Sequence, residues 1–92
     1  MAKINVERSH GLGREVARQK AEQLAERLAR EYSVRYHWTG DTLEFKRSGA
    51  HGQIDVAEDS VRVQLSLGLL LSAMSGSIKR EIEEVLDKSL KA

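Results

Sequence analysis

From Val34 to Lys46 the chain alternates apolar and polar residues on both sides of a two-residue break. Val34, Tyr36 and Trp38 alternate with Arg35, His37 and Thr39, and after Gly40-Asp41 the residues Leu43 and Phe45 alternate with Glu44 and Lys46. Successive side chains of a strand point to opposite faces, so each arm has one apolar and one polar side. Glycine in the first position of a two-residue loop supplies the positive φ of a type II′ turn, whose twist suits a hairpin. A chain with such a hairpin builds a sheet with one apolar side, and that side needs a cover.

The same period recurs elsewhere. Ile4 and Val6 alternate with Lys3, Asn5 and Glu7 in a short first strand, Ile54 and Val56 mark a fourth, and Val61, Val63, Leu65 and Leu67 form a full fifth. Ser48-Gly49-Ala50-His51-Gly52 and Glu58-Asp59-Ser60 read as the turns between them. Two other stretches carry a helical period. Between Gly13 and Tyr32 the residues Ala17, Ala21, Leu24, Ala25, Leu28 and Tyr32 fall on one stripe, and near the end Ile78, Ile82, Val85, Leu86 and Leu90 do the same. Opposite-charge pairs four residues apart, Arg18 with Glu22, Glu26 with Arg30, Lys79 with Glu83, Arg80 with Glu84 and Glu84 with Lys88, are expected on the outer helix faces. Ser72 to Ser77 reads as a small-residue hinge, with Ser75 or Ser77 capping the last helix.

The order is β-α-β-β-β-β-α, an α+β fold. The four later strands pair as a meander and the first joins the free edge of the fifth, giving a five-stranded antiparallel sheet in the order 2-3-4-5-1 with both helices on one face. Residues 1–92 read as a single α+β domain, because 92 residues support one modest core. A chain this short gains from a homodimer that buries more apolar surface.

Composition removes several classes of function. With no cysteine there are no disulfides, thiolate nucleophiles or cysteine-ligated metals, in keeping with a reducing compartment. The first residues have no apolar core of a leader, and Leu65 to Leu71 is too short to span a bilayer, so a cytoplasmic location with no membrane span is expected. Fifteen Lys and Arg against fourteen Asp and Glu, interleaved along the helices, argue against a nucleic-acid partner.

No complete catalytic constellation can be assembled. His10, His37 and His51 have no metal-ligand spacing, and His10 is expected to close the start of the first helix. Gly11-Leu12-Gly13 lacks both the third glycine of a dinucleotide loop and the Gly-Lys-Ser/Thr of a phosphate loop, so no cofactor is expected. Asp41 lies in the hairpin turn and Glu44 faces solvent, where neither has the environment of a catalytic acid. Two groups of residues remain as ligand or partner sites. Tyr36, Trp38 and Phe45 share the apolar sheet face and could line a pocket for an acyl or hydroxyacyl group, although a chain this short is expected to need them as core filler first. Leu69, Leu70 and Leu71 with Met74 cannot all point inward, so at least one of these leucines is outside, as a partner-binding surface, a dimer contact or an irregular crossing.

Ile4-x-Val6-Glu7-Arg8-x-His10-x-Leu12-Gly13, Ala17 and Ala21, Trp38-x-Gly40-Asp41-x-Leu43-x-Phe45-x-Arg47-x-Gly49, Gly52-x-Ile54 and Leu67-Gly68-x-Leu70-Leu71 together resemble the polyhydroxyalkanoic acid system proteins of gammaproteobacteria. The resemblance covers nearly the whole chain and is most specific from Trp38 to Gly49. It implies a chain encoded with polyhydroxyalkanoate synthesis and breakdown genes and associated with storage granules; it implies no reaction and no site residues. The layout also resembles a reduced helix-grip fold, and differs from the helical phasin coats. The resulting expectation is a non-catalytic accessory protein that binds the granule surface or a granule-associated protein. The alternatives are a small acyl carrier and, less favoured, an enzyme of the thioesterase or hydratase kind.

Overall fold

A computed structural model describes residues 2–90, apart from the side chain of Leu70. Strand β1 (Ala2–Ser9) leads into helix α1 (Arg14–Tyr32), followed by the meander β2 (Arg35–Thr39), β3 (Thr42–Arg47), β4 (Ala50–Val56) and β5 (Ser60–Leu67). A four-residue helix α2 (Leu69–Ser72) and a longer helix α3 (Ser75–Ser89) complete the chain. The strands are antiparallel throughout, in the order β1-β5-β4-β3-β2, which is the expected arrangement.

The alternation places the core on one face. Ile4, Val6, Leu43, Phe45, Ile54, Val56, Val61, Val63, Leu65 and Leu67 turn inward from the sheet. The stripe Ala17, Ala21, Leu24, Ala25 and Leu28 of α1 meets them, together with Ile78, Ile82, Val85 and Leu86 of α3. The alanines of α1 let its backbone lie close to the sheet, and each fully buried leucine or isoleucine contributes about 1.5–3 kcal/mol. At the hairpin, φ is +61° at Gly40 and not positive at Asp41, the pattern of a II′ turn.

Several local expectations are corrected. Strand β1 is not short: it runs eight residues, and hydropathy hides its end because the inward-turned Arg8 binds Glu83 and Asp87 of α3 at 3.3 and 2.8 Å. Ala50, His51 and Gly52 belong to β4, not to a turn; only Ser48 and Gly49 turn, with φ +83° at Gly49. The hinge at Ser72 to Ser77 is helical at both ends, and Met74, not a serine, stands at the N-cap of α3 without a side-chain hydrogen bond. The five expected four-residue ion pairs are absent among the described residues; Arg18 and Glu83 instead reach other elements, and Arg27–Glu31 is the one pair of that spacing.

Candidate functional site

The three aromatic residues do not enclose a chamber. Phe45 is 2 % exposed and fills the sheet centre, with Tyr36 directly opposite it on β2. The interior space beside Phe45 is about 20 Å3, lined by Leu28, Tyr32, Leu65, Leu71 and Ile78 among others. That is room for one water molecule and not for an acyl chain. Tyr36 and Trp38 lie half-buried on the edge strand, and burial followed by the charges of Glu26 and Glu22 raises the Tyr36 hydroxyl above its ordinary pKa.

Trp38 forms the wall of an open groove of about 560 Å3 along the first half of α1. Its indole Nε1 donates to Glu22 Oε1 at 2.8 Å, and the Arg18 guanidinium stands 4.4 Å over the ring. Asp41 holds Arg18 at 3.3 Å and Arg14 at 3.5 Å. The hairpin turn is thereby fastened to the start of α1. Arg14, Arg18, Glu22, Trp38 and Asp41 are thus taken up with one another, and Glu15, also on the groove, is exposed to solvent.

A second cluster joins the helices. Glu81 of α3 accepts from Arg27 Nε at 2.7 Å and from the Tyr32 hydroxyl at 3.1 Å, both on α1. A hydrogen bond to Glu81, then burial and charge, raises the Glu31 carboxyl above its ordinary pKa. Burial alone would raise Glu81 too, but hydrogen bonds from Glu31, Arg27 and Tyr32 prevail and hold it below. The sequence concealed this cluster because Glu81 is 54 residues from Arg27, and a helical period pairs each charge with its own helix.

His10 is buried at the β1–α1 junction. Its Nδ1 accepts from the Leu12 N–H at 3.2 Å and the His10 backbone N–H donates to the Asp59 carbonyl at 2.8 Å, so it closes the helix approach as expected. Its Nε2 is buried without a partner. His37 and His51 are exposed on the outer sheet face. No group of three or more His, Asp or Glu among the described residues could hold a metal ion.

The strongest candidate for an external contact is the end of the molecule at α2. Leu69 is 82 % exposed and Met74 42 %, whereas Leu71 is half-buried against the core. The side chain of Leu70 lies outside the described residues. Gly68 N–H donates to the Gly49 carbonyl at 2.6 Å, and Ser72 Oγ donates to the Gly68 carbonyl at 2.8 Å, so Leu69 projects from a fastened turn. From Val63 to Ile78 the sequence has no charged residue, although 32 % of the chain is Asp, Glu, Lys or Arg. No helix among the described residues is long and apolar enough to cross a membrane.

Compared with known proteins, the chain matches no curated protein and no solved structure. A family model described as "putative polyhydroxyalkanoic acid system protein" matches residues 4–90.

Proposed function

The chain belongs to the polyhydroxyalkanoic acid system protein family, and from that membership we propose that it is a non-catalytic accessory of polyhydroxyalkanoate storage. In this reading it binds the granule surface, or a protein on it, through the end that carries Leu69 and Met74. The observation that carries the proposal is the 82 % exposure of Leu69 inside a stretch without charge. Fully exposing a leucine on a soluble chain forgoes about 1.5–3 kcal/mol that burial against a partner would return.

A non-catalytic role is supported by the state of the acids. Asp41 is bound by two arginines and Glu81 by Arg27 and Tyr32, so both serve as fastenings between elements. The test is co-sedimentation of the purified protein with isolated granules. Leu69→Asp and Met74→Asp should keep the parent's circular dichroism and lose most of the granule-bound fraction. Full retention by both variants would remove this end as the contact surface.

A further inference from the structure

The uncovered face of the sheet sorts its polar side chains into rows. Directly paired residues of antiparallel strands point to the same side. Lys3 pairs with Ser66, Ser66 with His51, His51 with Lys46, and Lys46 with Arg35. One row therefore crosses all five strands, about 19 Å from β1 to β2 at the usual strand spacing. It contains two lysines and an arginine and no acid.

The neighbouring row, Asn5, Gln64, Gln53, Glu44 and His37, contains one acid. The third places Arg62 between Glu7 and Asp55, with Arg62 bound to Glu7 at 3.3 Å. Charge is thus graded along the strands, with the positive end at Lys3, Lys46 and Arg35. All three are exposed, and none forms an ion pair among the described residues.

That positive end coincides with the uncharged one. An open depression of about 440 Å3 is lined by Lys46, Arg47, Ser48, His51, Ser66 and Gly68, among others, and no acid borders it. Arg47 already donates to the carbonyls of Tyr32 at 2.6 Å and Ser48 at 3.0 Å, which leaves Lys46 as the cation there without a partner. Gly68 is followed directly by Leu69. Unpaired cations beside an exposed apolar side chain are the combination that holds a protein on an anionic lipid layer. A nucleic acid would use the cations but would leave Leu69 idle and would meet Glu44 in the next row.

We propose that this end of the molecule binds a layer of anionic lipid. Lys3, Lys46 and Arg35 face the phosphate headgroups, the depression beside Lys46 receives one of them, and Leu69 reaches the acyl layer. The inference rests on the reading that the Leu69 end meets the granule surface, and adds the chemistry of that surface.

The test is co-sedimentation of the full chain with phosphatidylcholine vesicles, with and without a minor fraction of phosphatidylglycerol. The parent should sediment mainly with the anionic vesicles, and less as salt is added. Lys46→Gln should weaken this binding about fivefold, and Lys3→Gln with Lys46→Gln about thirtyfold, taking each surface cation at its usual contribution. Equal sedimentation with both vesicles, or glutamine variants that bind like the parent, would overturn the proposal. So would a parent that ignores both vesicles yet binds a short single-stranded oligonucleotide. Isolated granules separate the two readings. Granule binding that needs Leu69 without any preference for phosphatidylglycerol leaves the granule function standing and removes the lipid inference. Lysine-dependent vesicle binding with unchanged granule binding by both Leu69→Asp and Met74→Asp supports the lipid layer and removes this end as the granule contact.

Discussion

A side chain added at Gly52 has no free space. An alanine Cβ there would overlap the backbone carbonyl of Gln64 and sit 3.0 Å from both Cα and Cδ1 of Leu65. Phe45 lies directly opposite Gly52 on β3, so an aromatic ring and a bare backbone share the sheet centre. Gly52→Ala must push β4 and β5 apart, and forced overpacking of this kind typically costs about 1–3 kcal/mol. Urea unfolding should show a lower midpoint for the variant, with Gly76→Ala, where nothing lies within 4 Å, as the control. An unchanged Gly52→Ala midpoint would show that the strands yield freely. In the sequence, Gly49 and Gly52 look alike and suggest one turn. Gly49 does turn the chain, but Gly52 is needed for close strand approach, a distinction that depends on β5.

Between elements, fastening is done by charges whose partners are distant in sequence. Arg8 ties β1 to α3, Asp41 ties the hairpin to α1, and Glu81 ties α3 to α1. Glu81→Gln should lower stability by about 1 kcal/mol, since it weakens two hydrogen bonds made by a carboxylate that is only 12 % exposed. Glu31→Gln should instead raise stability at neutral pH. The folded Glu31 carboxyl binds its proton more tightly than the unfolded one, so its contribution falls as pH rises through and just above 4.5. Glu81 behaves oppositely: its contribution is present above 4.5 and is lost as pH falls below. Unfolding free energy measured against pH should therefore lose its higher-pH phase in Glu31→Gln and keep its lower one. If Glu31→Gln and Glu81→Gln destabilise alike at neutral pH, the two carboxylates do not compete. Strands and helices could be read from periodicity because burial depends on local alternation. These ties could not, because a charge on a helix surface gives no sign of whether it pairs along its helix or across a gap.

Over the whole molecule, the interior is filled and the polarity lies outside. The sheet order, the helix faces and nearly all the core residues followed from the alternation, and so did an exposed leucine in the run after Gly68. Whether Tyr36, Trp38 and Phe45 fill the core or line a pocket was not legible in the sequence, because aromatics on an apolar face line a pocket only when the layers stand apart. Here the alanines of α1 bring it down onto the sheet, Phe45 becomes core, and about 20 Å3 remains. Trp38, half-buried beside Arg18 and Glu22, is the single tryptophan and reports on both the groove and the sheet edge. Titration with medium-chain hydroxyacyl compounds should leave its emission unchanged, since neither the small cavity nor a groove lined by charged groups offers an apolar chain any burial. A saturable change in Trp38 emission would mean that α1 lifts from the sheet to admit the ligand. In that case the acyl-carrier reading would displace the surface-binding one, because a chain that opens its only described core for a ligand must gain more from the ligand than from its own packing.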